Sequence, residues 1–459
     1  MIARFLFIWS AALIAILPLH AADLDTNGTS GLRIGTFDID ATPPIGSMMA
    51  YDPMTNHWEL GLRARGIVLL GAGEPIVLCA VDWIGIANEG HDAFCKGLAV
   101  AAGTSPSHVA VHTLHQHDAP ECDFSAERIL LDEGLSARQY AGGYQRQILT
   151  NLQNAVRESV ARAQPVTEVG LGQAAVTNVA SNRRILGLDG KVRATRYTSS
   201  KDPELRAAPE GTIDPAVSLV SFWNGDKPIA VLSYYATHPQ SYYRTGIPNP
   251  DFPGLARFFR QLAVPAALHV HFNGAGGNIG AGKYNDGSPE NRLLLAQRLA
   301  DGMRRAWEST KRSAIAAGEI GWSVERVVIP PGKCFATNQL EKQLEERTPA
   351  FFTGGGALRL AWLRRCQAGQ QIDVTCLKLG RARIVHLPGE PFVEFQLAAK
   401  AQRSDLFVAV AGYGDYGPWY IGTSIGYEQG GYETSPSASN VGPEAEPILM
   451  RAIAKLLRD

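Results

Sequence analysis

Short apolar runs alternate with stretches of helical period along this chain, and this alternation limits the folds open to it. Gly66–Trp83 predicts two buried strands around a turn at Gly71–Gly73, and Asn88–Ala102 predicts a helix. Val217–Trp223 and Ile229–Tyr235 predict a hairpin. Strands interleaved with helices are typical of α/β proteins.

The alternation continues to the C-terminal end without a Pro- or Ser-rich linker. We expect a strand at His108–His115 and long loops at 195–211 and 414–441. Further helices are predicted at Tyr140–Ala163, from Pro289 to about Ser309 with Ser288 as N-cap, at Pro391–Gln402 and at Glu446–Arg458. The sequence therefore predicts one large α/β domain of catalytic size, with mixed β-sheets flanked by helices.

The first 22 residues have the pattern of a secretory signal peptide. Arg4 precedes an apolar run from Phe5 to Leu17, Pro18 ends the run, and Ala21 and Ala22 offer a cleavage site. A membrane anchor is the alternative, but the run is shorter than the roughly 20 residues of a membrane span. We therefore expect a soluble domain at 23–459, exported to the periplasm or out of the cell.

Composition excludes two classes of function. The 43 Lys and Arg residues balance 44 Asp and Glu residues, so the chain has no basic field for a nucleic-acid partner. With 45% hydrophobic and 19% charged residues, it is not a disordered chain. Its six cysteines form no Cys-x-x-Cys pair, which leaves disulfides or buried thiols open and argues against a cysteine zinc site.

The densest group of reactive side chains is a histidine cluster at 112–118. Residues two apart in a strand share a face, so we expect His115 and His117 to point the same way and His112 the opposite way. Two imidazoles on one face can bind a metal together, or divide into a ligand and an acid/base group. Partly exposed strand histidines are the alternative.

Three later segments offer further candidates. His238 follows an apolar strand, where α/β sites cluster, although a surface role fits it equally. Glu390 follows a sharp Pro388-Gly389 turn and is either a metal ligand or a first-turn helix residue. Gly412–Tyr432 is rich in tyrosine and glycine, which suits the wall of a binding site or a packed surface loop.

Gly277–Lys283 has the Gly-x4-Gly-Lys spacing of a phosphate-binding loop. Tyr284 follows instead of the Ser or Thr that holds magnesium, and the next residues do not begin a helix. We expect a glycine-rich turn whose backbone N–H groups face a ligand, and no nucleotide binding.

Taken in order, these segments resemble the neutral/alkaline (non-lysosomal) ceramidase family from about Ile34 onward. The pieces that carry the resemblance are Ile34-Gly35-Thr36, Asp40-Ala41-Thr42-Pro43, Arg63-Ala64-Arg65-Gly66 leading to Asp82, the His-x-His strand (His115–His117), Asn182-Arg183, Ala236-Thr237-His238, the Gly-Asn loop (Gly277–Gly280), Pro388-Gly389-Glu390 and Tyr432-Glu433.

The resemblance implies a zinc held by two His, one Glu and one Tyr. By position these ligands are His115, His238, Glu390 and Tyr420, the last lying 12 residues before Tyr432. The resemblance also implies that His117, Arg183 and Tyr432 are catalytic residues. The spacing alone does not join these residues into one site.

A zinc-dependent amide hydrolase of ceramide-like lipids follows from this set. Zinc lowers the pKa of bound water to roughly 7, and the resulting hydroxide would attack the amide of N-acylsphingosine or another N-acyl substrate. His117 and Tyr432 would stabilise the oxyanion or pass a proton to the leaving amine, and Arg183 would either orient a polar substrate group or form a structural ion pair. We expect a small-molecule lipid partner, a role in sphingolipid metabolism, contact with a membrane surface and no stable membrane span.

The chain departs from the family pattern at several positions. Gly280 stands where the family has a Ser implicated in catalysis, and His115–Pro120 reads His-Gln-His-Asp-Ala-Pro instead of His-Thr-His-Ser-Gly-Pro. We expect no C-terminal immunoglobulin-like domain after the catalytic unit. A catalytically degenerate lipid- or glycan-binding protein of the same fold is therefore the alternative function.

Overall fold

Three large β-sheets form the centre of the described structure. In each of them a helix connects two neighbouring parallel strands. The computed structural model describes residues 31–333 and 337–458, so the predicted signal peptide lies outside the described residues. In chain order the strands are β1 (Arg33–Asp40), β2 (Arg63–Leu70), β3 (Ile76–Val81), β4 (Gly85–Ile86), β5 (Val109–Thr113), β6 (Glu121–Cys122), β7 (Gln164–Pro165), β8 (Glu168–Ala175), β9 (Ser181–Asn182), β10 (Arg184–Leu186), β11 (Val192–Thr195), β12 (Ala216–Asn224), β13 (Lys227–Tyr235), β14 (Leu268–Asn273), β15 (Ile279–Gly280), β16 (Lys311–Ala314), β17 (Ile320–Val327), β18 (Ile372–Leu379), β19 (Ala382–His386), β20 (Glu390–Pro391), β21 (Phe407–Ala411) and β22 (Tyr420–Ile421).

The helices surround these sheets. In chain order they are α1 (Asn88–Ala102), α2 (Phe124–Asp132), α3 (Gly143–Ala161), α4 (Pro203–Ala207), α5 (Asp251–Ala263), α6 (Pro289–Glu308), α7 (Thr337–Glu345), α8 (Pro349–Thr353), α9 (Gly356–Gln367), α10 (Val393–Gln402), α11 (Ser424–Gln429) and α12 (Ala445–Leu456). In the described ranges, no helix is both long and apolar enough to cross a membrane.

The three large sheets repeat one strand arrangement. Sheet I has the order β5-β3-β2-β1-β7, sheet II the order β14-β13-β12-β8-β16, and sheet III the order β17-β18-β19-β21. In each sheet an antiparallel pair is followed by a parallel pair: β3 with β5, β13 with β14, and β19 with β21. A helix connects each parallel pair, namely α1, α5 and α10, because parallel neighbours need a crossover connection.

The hydrophobic core lies where the inner faces of the three sheets meet. Leu78 of sheet I, Leu232 of sheet II and Ile384 of sheet III are fully buried in one shared cluster. Within β3, alternate residues face this centre, while Val77 and Val81 pack outward among residues of α1 and α3. Both faces of these strands are buried, which explains their nearly continuous apolar sequence.

This arrangement positions the candidate residues. Polar groups in α/β sheets gather at the carboxyl ends of parallel strands. His115 follows β5, His238 follows β13, and Glu390 follows β19, one from each sheet. Three segments that are distant in sequence can therefore meet at one end of the molecule.

Most predicted elements are confirmed, including α1 at its exact bounds and the β12–β13 hairpin. The two predicted long loops are partly wrong, because 195–211 contains α4 and 414–441 contains β22 and α11. Ser288 occupies the N-cap position of α6, but its side chain makes no capping bond. The described residues from Gly31 onward form one compact unit.

Candidate metal centre

His115 lies just beyond β5, in the left-handed region with a φ of +59°. The two histidines do not lie in a strand as predicted, because the strand ends at Thr113 and the backbone turns, but their imidazoles do point into one site. The Nδ1 of His115 lies 2.7 Å from the carbonyl oxygen of Ile84. A carbonyl only accepts, so Nδ1 carries the proton and Nε2 is left with a free lone pair.

Glu390 faces that lone pair. Its Oε2 lies 3.2 Å from the Nε2 of His115 and 3.8 Å from the Nδ1 of His238. All three side chains are at most 2% exposed. Among the described residues, Glu390 Oε2 has no hydrogen-bond partner. A buried carboxylate oxygen between two imidazoles is a donor set that suits zinc.

A tight turn places Glu390. Gly389 has a φ of +59°, and a Cβ there would lie 2.6 Å from the carbonyl oxygen of Trp419, so only glycine fits. The backbone N–H of Glu390 donates to that same carbonyl at 2.8 Å. β20 then pairs in parallel with β22, with Glu390 opposite Tyr420. The fourth predicted ligand is thus the direct neighbour of the third.

Tyr420 also packs against the second histidine. Its ring stacks on that of His238 with centroids 6.1 Å apart and an angle of 11° between the planes. The structure therefore brings together His115, His238, Glu390 and Tyr420, which the resemblance implied as ligands.

His117, which the resemblance implied as a catalytic residue, lies directly beside the predicted ligands. Its Nε2 lies 3.0 Å from the Nε2 of His238. The ligating nitrogens of His115, His117 and His238 all lie within 4.8 Å of one another, so these three could hold a metal ion. On its other side, the Nδ1 of His117 lies 3.0 Å from the hydroxyl of Tyr51 and 3.2 Å from the Nε2 of Gln240.

Sequence reasoning missed Tyr51 and Gln240. Tyr51 lies in the irregular segment between β1 and β2, and its ring stacks on His117 with centroids 5.7 Å apart. Gln240 lies two residues after His238, and its Oε1 accepts a hydrogen bond from Thr198 at 2.7 Å. Proximity to His238 was the one available signal for Gln240, and Tyr51 had none.

Arg183 is fixed by a buried carboxylate that the sequence analysis gave no role. Its Nε lies 3.1 Å from Glu433, and its Nη1 donates to the hydroxyl of Tyr420 at 2.9 Å. The guanidinium also lies 5.6 Å from the ring centroids of Tyr197, Tyr420 and Tyr432. The structural ion pair is therefore present, and Arg183 also contacts the predicted ligand Tyr420, while its role in orienting a substrate group stays a prediction.

A cavity of about 630 Å³ opens over the candidate ligands. His115, His117, Glu390 and Tyr420 line it, and Tyr432 stands in its wall, 39% exposed. The remaining lining residues are Ala50, Tyr51, Ile84, Glu121, Gln139, Tyr140, Arg244, Phe352, Thr353, Gly354, Gly355, Tyr416, Trp419, Ser437 and Ala438. The predicted tyrosine-rich wall is thus present, and it has an additional side built from residues 50–51, 121, 139–140 and 352–355.

The Gly-Asn loop is structural, which corrects the expectation that its N–H groups face a ligand. The N–H of Gly277 donates to Pro391, and that of Ile279 donates to Gly276. Asn278 accepts from the backbone N–H groups of Arg183 and Val393, at 2.8 Å each. This loop therefore ties the Arg183 segment to the segment that follows Glu390.

Lys283 is engaged in the same way. Its Nζ donates to the carbonyl oxygens of Arg206 and Ala208 at 2.9 and 2.6 Å. These contacts agree with the dismissal of a phosphate-binding loop. At Gly280, a Cβ would lie 3.1 Å from the methyl group of Thr198 and 3.3 Å from its Cα, so Thr198 crowds the position where the family has Ser.

Burial controls the charge state of the centre. Burial above all, with the positive charge of Arg183 also contributing, holds the pKa of His117 and that of His238 well below the usual range. Both imidazoles are therefore neutral near pH 7, as metal ligation requires. Burial raises the pKa of Tyr420 well above its usual value, and the positive charge of Arg183 opposes that rise.

Comparison with known proteins places this arrangement in context. No protein-family model and no curated protein sequence matches the chain. A solved structure described as ceramidase complexed with C2 aligns with a TM-score of 0.67 and 17% identity, covering 93% of this chain and 74% of the other. The neutral ceramidase of Pseudomonas aeruginosa aligns with a TM-score of 0.65 and 18% identity over the same shares. The chain therefore has the fold of the neutral ceramidases, as its motifs predicted.

Proposed function

We propose that this protein is an exported zinc-dependent hydrolase that cleaves the amide bond of an N-acyl lipid. One observation carries the proposal: buried His115, His238 and Glu390 converge beneath an open cavity. The neutral ceramidase fold supports the same class of reaction, since the relatives in that fold are named as ceramidases.

His115, His238, Glu390 and Tyr420 would hold the zinc. The unpartnered oxygen of Glu390 and the free Nε2 of His115 are suitable donors. When bound, zinc would supply Lewis-acid activation of water and of the amide carbonyl. Arg183 donates to the hydroxyl oxygen of Tyr420 and so stabilises negative charge on that oxygen, which favours ligation by the phenol.

His117 would move the proton. Gln240 donates to its Nδ1, because Thr198 occupies the amide oxygen of Gln240. The proton of the neutral imidazole therefore lies on Nε2, the atom nearest His238. From there His117 can protonate the leaving nitrogen of the amide.

Tyr432, which stands in the cavity wall, would bind the acyl carbonyl side of the substrate, with the buried guanidinium of Arg183 packed behind its ring. The guanidinium is held by Glu433 and the ring of Tyr432 packs beside Tyr420 with centroids 5.9 Å apart. A fixed donor next to the reacting carbon stabilises developing oxyanion charge without reorganisation. The exposed rings of Phe352 and Tyr51 offer apolar surface at the cavity for a lipid chain.

A protein that binds lipid or glycan without hydrolysing it is the second candidate. The observation that favours it is Gly280, which leaves no hydroxyl at the position of the family Ser. A mechanism based on activated water does not need that hydroxyl, so we favour the hydrolase.

Chelator-sensitive hydrolysis separates the two candidates. The purified mature protein would be incubated with N-dodecanoyl sphingosine and with N-dodecanoyl ethanolamine, before and after EDTA and after zinc is restored. The hydrolase predicts release of dodecanoate that EDTA abolishes and zinc restores. Binding of either lipid without any release would favour the binding protein.

N-terminal sequencing of the exported protein tests the signal peptide, and an intact Met1 would contradict it.

A further inference from the structure

Glu121 is a carboxylate in the substrate cavity that the proposed mechanism does not use. It begins β6, four residues after His117, and pairs with Gly85 of β4. Its backbone oxygen accepts from Gln145 at 3.1 Å, which fixes the main chain. The residue lines the same cavity as His115 and Glu390.

The carboxyl group of Glu121 lacks a side-chain partner in the described part of the chain. Among residues 31–333 and 337–458, no side chain donates a hydrogen bond to it or forms an ion pair with it. The cation in the cavity wall, Arg244, is already paired with Asp52 at 3.1 Å. Burial, and after it the charge of Asp123, raises the pKa of Glu121 to about 8, so the side chain is mainly the neutral acid near pH 7 until a cation binds beside it. Glu121 is only partly exposed, so a ligand that supplies the missing charge or donor would stabilise its ionised form.

Glu121 lies within reach of a substrate at the metal centre. Tyr416 packs against His115 with ring centroids 5.4 Å apart. Burial, and after it the charges of Glu390 and Glu121, raises the pKa of Tyr416 well above its usual value. Tyr51, whose hydroxyl lies 3.0 Å from the Nδ1 of His117, lines the cavity together with Glu121 and Glu390. One small molecule in the cavity can therefore contact the centre and Glu121 together.

We infer that Glu121 is a specificity-determining residue that selects N-acyl substrates carrying a cationic amino group close to the scissile amide. This inference rests on the proposed function and names its substrate class. An ammonium group beside Glu121 would favour the ionised form, with the proton released to solvent, and would donate hydrogen bonds to the carboxylate; such charge-assisted bonds are stronger than neutral ones. A neutral hydroxyl would satisfy only the hydrogen bond.

A matched pair of amides tests the inference. N-dodecanoyl ethylenediamine carries an ammonium group at neutral pH, and N-dodecanoyl ethanolamine carries a hydroxyl at the same position. With zinc-loaded protein we expect kcat/KM to favour the cationic amide by about tenfold, and E121Q to abolish that preference. The control is E133Q, which removes the same charge from an exposed residue outside the cavity and keeps the preference.

The inference is overturned if the wild-type protein hydrolyses both amides equally, if it prefers the hydroxyl amide, or if E121Q keeps the preference. If neither amide is hydrolysed, the proposed function fails while the inference is still tested by binding. Calorimetric titration of the cationic amide into metal-free protein should then show about tenfold weaker binding to E121Q than to E133Q. Equal affinities would overturn it.

Discussion

Replacing Glu433 with Gln removes the charge that holds Arg183 beside the candidate metal centre. Glu433 is fully buried, and its two oxygens lie 3.1 Å from Arg183 and 3.3 Å from Arg184. E433Q keeps the shape of the side chain but leaves two buried guanidinium groups without their carboxylate. Breaking a buried ion pair from one side costs about 3–5 kcal/mol.

We expect the lower end of that range, about 3 kcal/mol. Arg184 keeps its hydrogen bond to the carbonyl oxygen of Gly426 at 2.7 Å, and Arg183 keeps its hydrogen bond to the hydroxyl of Tyr420. Domains of this kind are stable by about 5–15 kcal/mol, so the variant should fold with a clearly lower urea midpoint. Zinc affinity should fall as well, because without the carboxylate of Glu433 the guanidinium of Arg183 is less rigidly fixed against the oxygen of Tyr420.

Urea unfolding of the metal-free protein measures the stability effect. The control is E204Q, since Glu204 pairs with Arg193 on the surface with 73% and 45% of the two side chains exposed. Exposed pairs contribute little, so the control should unfold like the wild type. A loss below about 1 kcal/mol in E433Q would refute the assignment of Glu433 as the charged partner of both arginines.

Two further predictions concern the histidines. His117→Ala should lower kcat by about 10²–10⁴-fold while zinc content is unchanged, as elemental analysis would check; loss of zinc would instead make His117 a ligand. Burial, followed by nearby arginine charges, lowers the pKa of His269 and His271 to about 3 each, below their unfolded value of about 6.5. Their stabilising contribution is therefore complete above that value and lost as the pH falls toward 3, so the free energy of unfolding should fall by about 1 kcal/mol per histidine between pH 7.5 and 5.5. Urea unfolding at the two pH values checks this, and a His271→Gln variant with unchanged pH dependence would contradict it.

Local elements with strong signals could be predicted from the sequence. The apolar run of β3, the helical period of α1 and the Asn-Gly turn between β12 and β13 are determined by residues close in the chain. The helix α4 also had a signal that was overlooked. Asp202 caps it by accepting from Glu204 and Leu205, and Pro203 is its first residue.

The site could be assembled only through the resemblance. His115, His238 and Glu390 follow strands of three different sheets and are more than 100 residues apart from one another, and no local pattern records that convergence. The His-x-His spacing predicted that two imidazoles point together but not the local backbone, since His115 has a left-handed conformation and bonds to Trp83 and Ile84, about 30 residues away.

The supporting residues had still weaker signals. Glu433 acquires its role by packing against Arg183 and Arg184, 250 and 249 residues away. Glu121 lies in a strand of only two residues, and no local sequence pattern indicates that its side chain lines a cavity. These positions depend on the three-sheet packing.

Zinc content per chain tests the proposed centre most directly. Elemental analysis of the purified mature protein should give about one zinc per chain. His238→Ala should lose it, whereas His57→Ala, which alters an exposed histidine, should retain it. Absence of zinc after reloading, or equal zinc in wild type and His238→Ala, would contradict a metal centre built on His115, His238 and Glu390.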